Sequence, residues 1–417
     1  MRILYGVVGE GMGHATRSRV VLEHLVAAGH EVEVVVSGRA ADMLASQFPD
    51  RVHRITGMTM VYEHNEVHKR KTLLENARSL FSRGLPGNIK VWFDLVADFS
   101  PQLVISDFET WSWLFAVNHR IPLISIDNMQ ALNRCKHNEL ASDPRWREQK
   151  GAFRLARAIV KAKIPGAAHY FVTTFFYPPL RRKRTTLVPP ILRPEILAAR
   201  ATAERGDHVL VYQTGGKHEA LVEAMRARSD LSFLVYGMER ELKEDRVDGN
   251  LVFRPFSQQG FVDDLASARA VVAGGGFSLM GECVYLGKPM LAVPMRGQFE
   301  QVLNAMWLER LGYGLYRDVA DADGIDELLG RDTELAYRLQ DHRQDGNREL
   351  LAGLDSLLQT LEIGGGRTTH HDGADEGADE DDEGDDGDGA PWSGFEAQTR
   401  CALGAAERSA AAASRGP

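Results

Sequence analysis

The sequence predicts an α/β protein of two parallel-sheet domains, and three observations carry that prediction. Short apolar runs alternate with stretches of helical periodicity through most of the 417 residues. A proline cluster near residue 190 interrupts the rhythm once. After residue 363 the composition turns to Gly, Asp, Glu and Ala, and the rhythm stops.

In the first half, residues 2–8, 31–37 (EVEVVVS), 102–106, 122–126 and 169–173 read as strands. Ala15 to Ala28 carries apolar residues at helical spacing and ends at Gly29, a C-cap residue. Pro189, Pro190 and Pro194, followed by an Ala/Arg-rich stretch to Gly206, read as a hinge. A second series of strands follows at 208–213, 232–236, 251–254, 270–273 and 289–293, with helices between them and at about 331–361. The predicted boundaries are 1–188 for the first domain, 189–206 for the linker, 207–363 for the second domain and 364–417 for a tail. The tail centres on DEDDEGDDGDG, cannot bury apolar area, and is predicted to be disordered. His370 and His371 read as part of that solvated tail.

The tail also explains the charge. Residues 367–417 hold four basic and thirteen acidic groups, which is the whole net charge of −9 and leaves 45 of each sign elsewhere. No bulk charge therefore points to nucleic acid. Cys135, Cys283 and Cys401 are widely spaced with no C-x-x-C pair, which argues for a reducing compartment and against structural zinc. Met1-Arg2 runs straight into a strand, leaving no room for a signal peptide, and no apolar run approaches about 18 residues. A cytoplasmic protein is expected. Residues 145–163 hold seven basic groups and one acidic, with Trp146, Phe153, Leu155 and Ile159, and 181–184 adds four more basic residues. These segments read either as a solvated face or as a peripheral contact with an anionic membrane.

The most informative stretch is 271–314, VVAGGGFSLMGECVYLGKPMLAVPMRGQFEQVLNAMWLERLGYG. It reads as strand, glycine turn, helix, strand, polar turn and helix. A diphosphate needs backbone N–H donors and the positive end of a helix, and Gly274-Gly275-Gly276 with Phe277 and Ser278 meets that need. Glu282 falls about two turns into the helix, where a carboxylate can accept from two vicinal ribose hydroxyls. Glu300 and Gln301 follow the next strand, at the sheet edge where open α/β folds bind ligands, and offer acceptors and an amide to sugar hydroxyls.

This segment resembles the C-terminal domain of GT-B glycosyltransferases. It is nearest to the family 28 group, which includes the N-acetylglucosaminyltransferase of lipid II synthesis, and to UDP-glucuronosyltransferase-like proteins. The matching positions are Gly275-Gly276, Glu282, Gly287-Lys288-Pro289 with Pro294, Glu300-Gln301 and Asn304-Ala305. The resemblance implies a GT-B fold, two Rossmann-like domains facing a cleft. It implies Glu282 on the ribose, Glu300 and Gln301 on the donor sugar, and Phe261 beside the base.

Strand 1 leads into Gly9-Glu10-Gly11-Met12-Gly13-His14-Ala15-Thr16-Arg17. The spacing is G-x-G-x-G, and strand 2 ends at Val36-Ser37 with no acidic residue, both against a dinucleotide fingerprint. His14 opens a helix at the mouth of the expected cleft. The helix N-terminus disfavours its charged form, so it could take a proton from an acceptor hydroxyl. The resemblance places a His at this turn, either as base or as part of the acceptor site. Asp107, ending the 102–106 strand, is the candidate to orient it, and Asp127 is the rival. Gly11, Gly13 and Arg17 complete the expected acceptor loop, with Tyr62, His64, His68 and Arg70 nearby in function. Gly215 and Gly216, with Lys217 and His218, are candidates for the diphosphate or read as a plain βα loop.

Together these readings predict an inverting, metal-independent transfer of sugar from a nucleotide-diphospho sugar, UDP-linked by resemblance. The acceptor is a hydroxyl, in a lipid or cell-envelope glycan among others. No D-x-D metal motif lies near the pocket and no cofactor is expected. A UDP-sugar 2-epimerase-like enzyme and a non-catalytic sugar-nucleotide-binding protein are the alternatives.

Overall fold

The computed structural model describes residues 1–363 except 10, 58–61, 64–65, 68–84, 203, 215–218 and 240. The first lobe contains β1 (Arg2–Val7), α1 (Met12–Ala27), β2 (Glu31–Val36), α2 (Ala40–Gln47), β3 (Val52–Arg54) and a short hairpin of β4 (Tyr62–Glu63) and β5 (Glu66–Val67). It continues with α3 (Leu85–Asp94), β6 (Leu103–Asp107), α4 (Thr110–His119), β7 (Leu123–Asp127), α5 (Ala131–Arg134), α6 (Pro144–Glu148), α7 (Lys150–Lys163), β8 (His169–Thr173) and β9 (Thr185–Val188). After α8 (Pro194–Thr202), the second lobe runs through β10 (Val209–Tyr212), α9 (Glu219–Ala227), β11 (Phe233–Tyr236), β12 (Arg246–Asp248), β13 (Leu251–Phe253) and α10 (Gln258–Ser267). It is completed by β14 (Ala270–Ala273), α11 (Phe277–Leu286), β15 (Met290–Ala292), α12 (Phe299–Arg310), β16 (Gly314–Tyr316), α13 (Ala322–Gly330), α14 (Asp332–Arg338) and α15 (Arg348–Ile363).

The first sheet is ordered β3-β2-β1-β6-β7-β8-β9 and is parallel throughout. The second is ordered β12-β13-β11-β10-β14-β15-β16, with β12 antiparallel to β13. Both sheets reverse their winding at one place, between β1 and β6 and between β10 and β14. Open α/β sheets bind ligands outside the carboxyl ends of strands at such a point. The central strands β6 (LVISD) and β7 (LISID) are buried at every position, as strands covered on both faces must be. Helix α1 ends as its sequence demands: Gly29 takes φ 84°, and His30 N–H donates to Leu25 O while Gly29 N–H donates to Val26 O.

Two structural details bear on the expected boundaries. The 189–206 linker is in good part helical, because Pro194 starts α8 at a position where its missing N–H costs nothing, and Ile196 there is fully buried. Helix α15, assigned by sequence to the 207–363 domain, returns to the first lobe. Its Leu350, Leu354, Leu358 and Leu361 fill the core beside Phe171 and Val188. The chain thus crosses between lobes twice, and Asn347 clips the crossings together: Leu192 N–H donates to Asn347 Oδ1 at 2.8 Å, and Asn347 Nδ2 donates to Leu192 O at 2.7 Å.

The lobes share an apolar seam. Phe176 stacks on Trp307 at 5.1 Å, Phe175 on Phe277 at 5.9 Å, and Trp146 and Phe153 both meet Phe299. Trp146 is therefore buried within the protein and unavailable to a membrane face, while Ile159 on α7 stays exposed. Trp307 Nε1–H donates to Nδ1 of buried His137, whose pKa burial lowers to about 4, so the imidazole stays neutral inside the seam. No helix among the described residues is long and apolar enough to cross a membrane.

Candidate active site

The turn after β1 owes its shape to glycine. A Cβ on Gly9 would stand 2.3 Å from the Ser37 carbonyl oxygen, so only glycine lets the turn close on the end of β2. Gly11 takes φ 83° and caps α1 without a side-chain hydrogen bond, leaving the first N–H groups of the helix open. A Cβ on Gly13 would lie 2.5 Å from Ser278 Oγ, so the two glycine turns of the two lobes meet here.

Strand pairing sets Val7 opposite Asp107, which brings the end of β6 beside this turn. His14 Nδ1 lies 2.9 Å from Asp107 Oδ1, and the His14 side chain keeps 18% of its surface exposed. Arg17 Nε donates to Asp107 Oδ2 at 2.8 Å, Ser18 Oγ donates to the same oxygen at 3.0 Å, and Arg17 NH1 donates to Asn128 Oδ1. Burial pushes the Asp107 carboxyl up, but Arg17 and then His14 outweigh it and hold the group well below the usual carboxylate range. Burial first, and Arg17 second, lower the His14 pKa, so its neutral form prevails near neutral pH. Arg17 NH2 also comes within 2.7 Å of His14 Nδ1. A nitrogen that carries a proton toward Asp107 cannot also accept from Arg17. The neutral Nδ1–H form of His14 is the one in which Arg17 directs its N–H groups to Asp107 and Asn128. Phe108, directly after Asp107, sits at φ 54°, a strained conformation for a bulky residue at the edge of the site. Asp127 accepts from Ser125 Oγ and Gln130 N–H instead of reaching His14, and burial raises its pKa to about 6.

Across the cleft, Gly276 caps α11 with no side-chain hydrogen bond, and a Cβ there would meet nothing within 4 Å. Phe277 and Ser278 form the first turn of the helix, an open N-terminus suited to an anion. Gly275 is glycine for a different reason: its Cβ would stand 2.6 Å from both the Cβ and the carbonyl oxygen of Gln301. Gln301 Oε1 accepts from Gly275 N–H at 3.2 Å and Met295 N–H at 2.9 Å, so its carbonyl braces the turn and its amide nitrogen turns to Gln298. Glu300 Oε1 accepts from Asn304 Nδ2 at 2.6 Å and, from the first lobe, Asn128 Nδ2 at 2.7 Å. Burial raises the Glu300 pKa to about 6 against the opposing pull of Asn304 and Arg17.

Glu282 is almost fully buried on α11, and Arg193 of the linker grips both its oxygens, Nε to Oε1 at 2.8 Å and NH2 to Oε2 at 3.0 Å. A carboxylate has about four lone-pair sites, so one remains on each oxygen for a ribose hydroxyl. Phe261 is buried on α10, its ring against Tyr212 at 5.5 Å and Tyr236 at 5.1 Å. Gly215, Gly216, Lys217, His218, His64, His68, Arg70 and the tail lie outside the described residues, as does the Tyr62 side chain. Sequence reasoning missed Arg193 and Asn128. Asn128 had a legible signal, its place at the carboxyl end of a central strand; Arg193 had none beyond its linker position.

Two parallel-sheet lobes whose switch-point turns face one another define the GT-B class of glycosyltransferase folds. The chain belongs to glycosyl transferase family 1, whose model matches residues 1–331. Among curated relatives, an uncharacterized glycosyltransferase of Methanosarcina mazei is 26% identical over 331 residues, 75% of this chain and 85% of that one. Another from Methanosarcina acetivorans is 24% identical over 341 residues, 75% and 83% of the two chains. Of solved structures, the calicheamicin glycosyltransferase CalG4 superposes with a TM-score of 0.57 at 16% identity, covering 88% of this chain and 99% of that one. The glycotransferase of kitacinnamycin gives 0.56 at 20%, with 87% and 97% covered. Phytolacca americana UGT2, complexed with UDP-2fluoro-glucose and pterostilbene, gives 0.57 at 16%, with 86% and 98% covered. At these identities the structural likeness speaks for the fold. Family membership makes the protein a glycosyltransferase, using a nucleotide-sugar donor and a hydroxyl acceptor.

Proposed function

We propose an inverting, metal-independent transfer of sugar from a UDP-linked donor to a hydroxyl acceptor, with the donor on the second lobe and the acceptor beside His14. The motif residues Gly275-Gly276, Glu282 and Glu300-Gln301 favour the family 28-like variant of the pocket, with ribose on Glu282 and sugar on Glu300. The observation that carries the reading is the His14–Asp107 pair, 2.9 Å apart at one switch point, with Gly13 of its turn set against Ser278 in the first turn of α11.

In this scheme Nδ1–H of His14 donates to Asp107, and Nε2 takes the acceptor proton as the oxygen attacks the anomeric carbon. The carbon–oxygen bond to the diphosphate breaks in the same displacement, which inverts the anomeric centre. Charge growing on the leaving diphosphate is met by the open N–H groups of α11. Asp107 stays ionised throughout and stabilises the imidazolium.

The test combines UDP calorimetry with donor turnover by the wild type and His14→Ala, in the presence and absence of EDTA. Turnover should fall about 100-fold or more in the variant while UDP binding persists. EDTA should change neither measurement. Full activity in His14→Ala removes it as base, and release of a free epimeric nucleotide sugar without an acceptor removes the transferase assignment of the site.

A further inference from the structure

One hydrogen-bonded chain runs unbroken across the cleft. It starts at His14 and Asp107, passes through Arg17 to Asn128, and reaches Glu300 of α12. Asn128 is the joint, contributed by the loop after β7, and is only 7% exposed. Its Oδ1 accepts from Arg17 NH1 and its Nδ2 donates to Glu300 Oε1 at 2.7 Å, so both ends of the amide are engaged and its orientation is fixed. Asn304 Nδ2 donates to the same Glu300 oxygen at 2.6 Å and to Gly275 O at 3.1 Å, which extends the chain to the glycine turn. Among the described residues Glu300 Oε2 accepts no hydrogen bond.

We propose that Asn128 is a positioning residue: it anchors one oxygen of the sugar-holding carboxylate, aims the other at the donor, and couples that carboxylate to the base through Arg17. The inference rests on the donor assignment of Glu300 made above and adds a residue of the opposite lobe to it. A carboxylate held by one asparagine of its own helix can rotate about the bond to its carboxyl carbon; a second N–H from the facing lobe stops that rotation. The lobes must also be closed for the second N–H to arrive. Asn128 therefore makes the geometry of the sugar site conditional on the position of the base. The chemistry calls for an amide here, because the two neighbours demand one acceptor and one donor. An aspartate would satisfy Arg17 but repel Glu300, and a leucine would strand both.

The test is a double-mutant cycle on the full chain with Asn128→Asp, Glu300→Gln and the pair. Asn128→Asp keeps an oxygen for Arg17 and removes the N–H that Glu300 accepts. The probes are UDP for calorimetry and UDP-glucose, UDP-N-acetylglucosamine and UDP-glucuronate for consumption. The expected result is a fall of about tenfold or more in kcat for Asn128→Asp, with UDP affinity within about twofold of wild type. In the Glu300→Gln background the same change should cost no more than about twofold, since the glutamine amide can turn its N–H toward the new carboxylate and the like-charge repulsion is gone. Multiplicative losses in the double variant overturn the coupling, as does wild-type turnover in Asn128→Asp. Loss of UDP binding in Asn128→Asp also overturns it, because that signals general damage to the second lobe. A wild-type protein that binds no UDP and consumes none of the three nucleotide sugars overturns the donor assignment itself, a result read before any variant.

Discussion

Replacing Glu282 by alanine separates what this carboxylate does for the fold from what it does for the ligand. It is 6% exposed and held at both oxygens by Arg193, itself 9% exposed. Removing it strands a buried guanidinium, which by analogy with other broken buried pairs costs about 3–5 kcal/mol. Its proposed bonds to the ribose add a loss of about 1.5–3 kcal/mol in UDP binding, or roughly 10- to 150-fold in Kd. The two losses part company in Arg193→Met combined with Glu282→Leu. That pair removes both charges and refills the space, so stability should return to within about 1–2 kcal/mol of wild type while UDP affinity stays low. Urea denaturation reads the first quantity and calorimetry the second. UDP affinity equal to wild type in Glu282→Ala would refute the ribose role. A double variant no more stable than Glu282→Ala would refute the stranded-charge argument.

Two further outcomes follow from the same geometry. Gly13→Ala inserts a methyl 2.5 Å from Ser278 Oγ and 3.1 Å from its Cβ, wedging the glycine turns apart; turnover should fall with little change in the urea midpoint, and Ser278→Gly in the same chain should restore it. Glu300→Gln tests the cost of holding a charge in the cleft. The folded pKa of Glu300, about 6, lies above its ordinary 4.5, so its contribution to stability is present below about pH 4.5 and is lost as pH rises through 6. The glutamine variant should therefore be more stable than wild type above pH 6, by on the order of 1–2 kcal/mol, and equal to it below about pH 4.5. A constant difference across pH 4–8 would contradict this assignment.

The fold was legible because its central strands are unbroken apolar runs, and β1 and β14 lead directly into glycine turns. Strands 2–8, 102–106 and 122–126 differ from β1, β6 and β7 by a residue or so at their ends. Four edge strands, β3, β9, β12 and β16, escaped, since three or four residues are too few to carry a periodicity. Within the linker, Pro194 opens a helix, because proline marks both the end of one element and the first turn of the next. At the site, His14, Asp107, Glu282 and Glu300 announced themselves by position along a strand–turn–helix unit. Their partners did not. Arg193 reaches Glu282 across 89 residues of chain, and Asn128 reaches Glu300 across 172. Such contacts are set by how two domains meet, and one-dimensional spacing holds no record of that. Gly275 shows the same limit: a phosphate-facing role fits the sequence, whereas the space beside it is taken by Gln301.

The clip between Leu192 and Asn347 gives the molecule something like a door with both hinges on one jamb. Two covalent strands pass between the lobes, and the paired hydrogen bonds hold them side by side. Any parting of the lobes is then a swing about that post, widest on the far side and smallest beside it. Arg193, next in sequence to Leu192, and its partner Glu282 sit beside the post, while Asn128 and Glu300 form a latch between the lobes. On the proposed donor assignment, the ribose contact at Glu282 would change little in such a swing, and the sugar contact at Glu300 would change most. Where the backbone crosses thus sets which contacts between the lobes a swing would alter least and which most.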